Sequence, residues 1–123
     1  MYKYSNRSLE HLKTCHQSLQ TIFLETIKEF DCSIVCGHRG EKKQNEAYQN
    51  GYSKLQFPKS KHNTLPSLAV DVIPYPTGYN SIPKFKELAQ IVKRIAKANN
   101  ITITHGGDWR WKDWPHYEVR GDK

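Results

Sequence analysis

Leu12, Leu19, Phe23, Ile27 and Phe30 recur at spacings of three, four and seven residues, the period of a helix that buries one face. They predict a helix from about Ser8 to Phe30, with Ser5 or Ser8 placed to cap its first turn. Asp31 leads into Cys32-Ser-Ile-Val-Cys36, a short β-branched run that reads as a buried strand. After Gly37-His-Arg-Gly40 breaks the pattern, Glu41 to Asn50 predicts a second helix, stopped by Gly51. Residues 52–67 are polar and aperiodic, a loop whose length in a small domain points to function or disorder. Leu68 to Ile73 alternates as a strand does, and Pro74, Pro76 and Gly78 mark a turn. Phe85, Leu88, Ile91, Val92 and Ile95 define a third helix over Pro83–Asn99. Ile101–Thr104 is a strand by β-branching, Gly106-Gly107 a turn, and His116–Val119 a last short strand. The sum is an α+β fold, a small antiparallel sheet flanked by helices.

Composition bounds this picture. A chain of 123 residues has room for one modest core, so residues 1–123 read as a single domain. No apolar run approaches the roughly 20 residues that span a bilayer, so stable membrane insertion is not expected. The first residues, Met-Tyr-Lys-Tyr-Ser-Asn-Arg, carry no apolar stretch behind their basic groups, so no signal peptide is read there. Three cysteines, none in a CxxC pair, argue against a disulfide framework and for synthesis in a reducing cytoplasm. The net charge of +7 favours a polyanionic partner without choosing among nucleic acid, acidic lipid and wall polymer.

Three segments hold the chemistry: Gly37-His-Arg39, Ser60-Lys-His62 through Asp71, and Asp113-Trp-Pro-His116-Tyr-Glu118. His62, Asp71 and His116 supply two imidazoles and a carboxylate, a set that suits zinc and leaves a fourth tetrahedral position for water. A turn role for Asp71 and surface roles for the histidines stay open on spacing alone. Asp113, three residues before His116, is placed to exchange protons with that water, or simply shapes the turn before Trp114-Pro115. Glu118 shares a strand face with His116, as a rival base or as a hydrogen-bond partner of a ligand imidazole. Arg39 is either an oxyanion or carboxylate donor or a solvated cation. Cys32, Cys36 and His38 fit no common zinc module, and both cysteines read as buried structural thiols. Trp109, Trp111 and Trp114 stack on a ligand or roof the core.

Taken together and in order, Ser60-Lys-His62, Pro66-Ser-Leu-Ala-Val-Asp71 and Asp113-Trp-Pro-His116-Tyr-Glu118, with Gly37-His-Arg39 and Gln44 upstream and Gly106-Gly-Asp-Trp109 before the last motif, resemble the zinc D-alanyl-D-alanine carboxypeptidase family. Within it the chain is most similar to the L-alanyl-D-glutamate peptidases of phage endolysins. The resemblance runs over about residues 32–119. It implies a hedgehog-like α+β domain, zinc on His62, Asp71 and His116, an acid/base at Asp113 and a polarising Arg39. Ser60, Gln44, Trp109 and Glu118 would lie near substrate. The implied substrate is the stem peptide of bacterial peptidoglycan, cut by a monomer made in a host bacterial cytoplasm and acting on the wall after release. No separate wall-binding domain is read, which leaves the positive charge to attract anionic wall polymers. Two departures stand out: eight residues separate His62 from Asp71 where many relatives have six, and the acid is Asp where carboxypeptidases commonly carry Glu. The second tilts the reading from D-alanyl-D-alanine carboxypeptidase toward endopeptidase. An inactive, metal-stabilised wall-binding module and a basic nucleic-acid-binding protein are the rivals from other classes.

Overall fold

The computed structural model describes residues 2–120. In chain order it contains α1 (Asn6–Lys13), α2 (Gln17–Thr26), β1 (Cys32–Cys36), α3 (Glu41–Gln49), β2 (Ala69–Pro74), α4 (Ile82–Ala98), β3 (Ile103–His105) and β4 (His116–Val119). Single 3-10 turns occupy Lys61–Asn63, Gly78–Asn80 and Gly106–Asp108. The strands form one sheet in the order β1-β2-β4-β3, every neighbouring pair antiparallel. The expected α+β class is what the chain adopts.

The core lies on one face of the sheet. Val70 and Val72 of β2 and Tyr117 and Val119 of β4 point into it, against Leu19, Ile22 and Phe23 of α2 and Leu88 and Val92 of α4. Phe23 and Tyr117 meet edge to face with ring centroids 5.4 Å apart. Since side chains alternate along a strand, Asp71, His116 and Glu118 are thereby turned to the opposite face. Burying the apolar set fixes that outcome, because a slip of one residue would expose it.

Three sequence expectations need correction. The long first helix is two helices, broken at 14–16. There Ser67 N donates to Thr14 O and His16 N to Ser67 O, each at 2.8 Å, so Cys15 pairs like a strand residue with Ser67. His16 then starts α2 as its cap, its Nδ1 accepting from Ser18 N at 3.1 Å. The apolar period could not expose the break, since Leu12 and Leu19 face the core from either helix. Second, β3 starts at Ile103 instead of Ile101. Asn100, at φ 59°, closes α4, with Ile101 N bonded to Ala96 O and Asn100 N to Lys97 O, a Schellman ending that uses up the residues assigned to the strand. Third, α4 begins one residue earlier than expected, with Ser81 capping Lys84 N at 3.3 Å.

Candidate active site

The registers of the sheet assemble the site. In the β2–β4 ladder Asp71 lies opposite His116, and Ala69 opposite Glu118. In the β1–β2 ladder Ile34 pairs with Val72, but Cys36, not Val35, pairs with Asp71, because the register shifts between Ile34 and Cys36. Such a bulge turns the residues beyond it to the other face. Cys36 therefore leaves the core side, where Cys32 and Ile34 stay buried, and faces Asp71. Period-two reading of β1 placed Cys36 with the core thiols; the inserted residue that moves it has no signature in Ser-Ile-Val.

His62 arrives from the 3-10 turn. Ser60 caps that turn, its Oγ accepting from His62 N at 3.2 Å, while Asn63 Oδ1 accepts from Ser60 N at 3.0 Å. His62 Nδ1 meets Gly37 O at 2.8 Å, so this nitrogen carries the hydrogen and Nε2 is left for Asp71 Oδ1 at 3.2 Å. His116 is oriented the opposite way. Its Nε2 meets Glu118 Oε1 at 2.7 Å and its Nδ1 faces Asp71 Oδ1 at 3.4 Å. One carboxylate oxygen thus stands between two imidazole nitrogens, each ring held from behind by an acceptor, the arrangement by which proteins fix the tautomer of a ligand histidine. A further donor grouping shares this centre: Cys36, His62 and Asp71 each offer a ligand atom, all within 4.8 Å of one another. Cys36 Sγ lies 3.8 Å from His62 Nδ1, on the nitrogen already occupied by Gly37 O.

Gly106 lets the last motif approach. A Cβ there would collide with Asp113 and crowd His116, and Asp113 N donates to Gly106 O at 3.0 Å. Asp113 lines the same cleft of about 410 Å³ as Arg39, Ser60, His62, Asp71, Trp109, His116 and Glu118. Trp109 leans over His116 at 5.1 Å between centroids, whereas Trp114 packs on Phe85 and so roofs the core. Arg39 reaches Asp71 Oδ2 at 3.4 Å and Gln44 Oε1 at 2.9 Å. Gln44 itself is wholly buried. Its amide nitrogen donates to Ser53 Oγ at 2.9 Å and Leu55 O at 2.6 Å, and its oxygen also accepts from Asn63. The expected substrate contact at Gln44 is therefore corrected: its polar atoms are all engaged by protein, and it meets the site through Arg39 and the cleft-lining Ser53 and Leu55. Ser60 lines the cleft, but its hydroxyl is committed to the turn beneath His62.

Charge follows this geometry. Burial pulls His62 down, but the charge and hydrogen bond of Asp71 outweigh it and push the imidazole up to about 10. Burial likewise opposes ionisation of Asp71, yet the two imidazoles hold it well below the usual carboxylate range. Burial, then repulsion from Asp71, raises Asp113. Glu118 moves the other way, because His116 and Lys61 overcome its burial. Of the two rival bases, Asp113 is thus the one shifted toward the protonated form, and Glu118 is shifted toward the carboxylate by His116 and Lys61.

A sheet-borne cluster of imidazole and carboxylate, beside an acid with a raised pKa in a substrate-sized cleft, is the site of a hydrolase. The chain belongs to the phage L-alanyl-D-glutamate peptidase family, whose model matches residues 1–121. Its fold is also similar to the crystal structure of the Serratia marcescens L-Ala D-Glu endopeptidase ChiX, with a TM-score of 0.81 and 27% identity over 96% of this chain and 90% of that one. No curated protein sequence matches it. The chain is accordingly a peptidase of the L-alanyl-D-glutamate type that acts on peptidoglycan.

Proposed function

We propose that this chain cleaves the L-alanyl-D-glutamate bond of the stem peptide as a metal-dependent endopeptidase, with His62 Nε2, Asp71 and His116 Nδ1 as the metal ligands. The observation that carries this reading is Asp71 Oδ1, 3.2 Å from one imidazole nitrogen and 3.4 Å from the other, with Gly37 O and Glu118 behind the rings. Two nitrogens and a carboxylate are the donor set of catalytic zinc sites, and zinc bound there would supply Lewis acidity toward the scissile carbonyl and acidify water. The chain's residues do the rest. Asp113 accepts the proton of the attacking water and delivers it to the departing glutamate amine, a role its raised pKa supports. Arg39 turns its remaining guanidinium donors to the carbonyl oxygen as negative charge develops there. Gln44 keeps Arg39 from swinging away, and Glu118 keeps His116 in the tautomer with Nδ1 free.

Cys36 is the competing third ligand. The bond from His62 Nδ1 to Gly37 O favours His116, since it leaves only Nε2, the nitrogen facing Asp71, for a metal. Metal analysis of two variants decides. His116→Ala should lose stoichiometric zinc and Cys36→Ser should retain it; the reverse pattern would move the site to the thiol. Mass spectrometry of fragments from defined peptidoglycan, with and without chelator, checks the bond cut: a new amino-terminal glutamate that disappears with chelator is the expected product. Accordingly, the chain should act on the wall after synthesis in a host cytoplasm. Among the described residues no helix is long and apolar enough to cross a membrane.

A further inference from the structure

Four cationic side chains line the cleft: Arg39, Lys54, Lys59 and Lys61. Two are matched by anions. Arg39 pairs with Asp71 at 3.4 Å, and Lys61 with Glu118 Oε2 at 3.2 Å. Lys54 and Lys59 enter no ion pair among the described residues; Lys54 lies over the ring of Trp111, 4.7 Å from its centroid. The remaining acid of the cleft, Asp113, enters no ion pair among the described residues and so is not matched to either lysine. One wall therefore carries two uncompensated ammonium groups.

That wall is built, although it has no regular structure. Buried Gln44 binds Ser53 and Leu55, and Asn45 Oδ1 accepts from Phe57 N at 3.1 Å, so the segment that carries both lysines is tied to α3. Lys54 also packs its ammonium on Trp111, which lines the same cleft. Both lysines line the cleft from this tethered segment, with exposed side chains.

The substrate has a matching group. Glutamate has two carboxyl groups, and when its amine forms the scissile bond at most one of them continues the chain. The other is a carboxylate only a few bonds from the nitrogen that leaves. We propose that Lys54 and Lys59 bind this free carboxylate and so make the peptidase selective for the acid over its amide. The inference rests on the L-alanyl-D-glutamate reading of the site and adds the part of the substrate that the arm recognises.

The test compares two soluble stem peptides that differ only in this carboxyl, free or amidated, with the full-length enzyme and its Lys54→Gln/Lys59→Gln variant. Wild type should prefer the free acid by about tenfold in kcat/KM, the scale of one charge-assisted hydrogen bond, chiefly through KM. In the variant the two peptides should converge to within about twofold, at an unchanged melting temperature. Equal cleavage of both peptides by wild type, or an equal loss on both in the variant, would overturn the proposal. So would a loss confined to intact peptidoglycan, which would make the lysines an attractor for anionic wall polymers. Cleavage of neither peptide by wild type would overturn the peptidase reading itself.

Discussion

The two walls of the cleft are made differently. One is a β-sheet: Asp71, His116 and Glu118 sit at fixed rungs of the β2–β4 ladder, over a core containing Val70 and Tyr117. The other is irregular chain, residues 52–61 with Trp109 and Trp111, which carries lysines and tryptophans at partly exposed positions. A ladder holds atoms to fractions of an ångström, as metal ligation and proton transfer require. Irregular arms tolerate change and suit recognition. Substitutions on the sheet wall should therefore act almost all-or-none on chemistry, and those on the arms should act in degrees that depend on substrate.

The largest effect should come from the centre of the sheet wall. Asp71→Ala removes the group between the two imidazoles and should abolish both metal binding and peptidoglycan hydrolysis, a loss of at least about 10³-fold in kcat. Protonation sharpens the same test. In the metal-free protein His62, raised to about 10, adds stability that is complete below about 6.5 and lost as pH climbs through its folded value. Asp71, held low, adds stability above the ordinary carboxylate range that is lost in acid. A metal instead needs a neutral imidazole. Metal-free protein should thus lose melting temperature between pH 6.5 and 10 while the increment from added zinc grows, and calorimetry in buffers of different ionisation enthalpy should register proton release on binding at pH 7.

Asp113→Asn comes next, at about 10²- to 10³-fold in kcat, within the range of general acid–base catalysis, with zinc content unchanged. The comparison is sharpened because Glu118→Gln should behave differently. It leaves the acid/base in place but weakens the clamp on His116, and should cost metal affinity by about tenfold or more. Full activity in Asp113→Asn would transfer the proton role to Glu118.

Gln44→Leu probes the joint between the walls. It strips buried partners from Arg39, Ser53, Leu55 and Asn63, which should destabilise the fold by about 1–3 kcal/mol and lower kcat several-fold through a displaced Arg39. A stability loss with unchanged kcat on every substrate would mean that Arg39 needs no such support.

Much of the sheet wall was legible in the sequence because alternation is a strong signal. Val70, Val72, Tyr117 and Val119 demand burial, and Asp71, His116 and Glu118 then fall together on the other face. The position of Cys36 was not legible, since the bulge in β1 is set by pairing with β2 and has no local cue. Nor was the break at Cys15, which exists because Ser67, more than fifty residues away, bonds both sides of it. The arm was legible only as a loop. Its anchors on Gln44 and Asn45 are long-range hydrogen bonds, and no periodicity reports them.

The smallest predicted effect separates a residue that supports a ligand from one that touches substrate. Ser60 lines the cleft, but its hydroxyl caps the turn that presents His62. Loss of a cap costs about 1 kcal/mol, which for a chain of this size is a melting shift of about 3–5 °C. Ser60→Ala should show that shift in the metal-free protein and a weaker one with zinc bound, because ligation then holds His62 independently of the turn. KM should stay within about twofold for both the acid and the amidated peptide. A KM change on one peptide only would place the hydroxyl against substrate and would carry recognition across from the arm to the foot of the sheet wall.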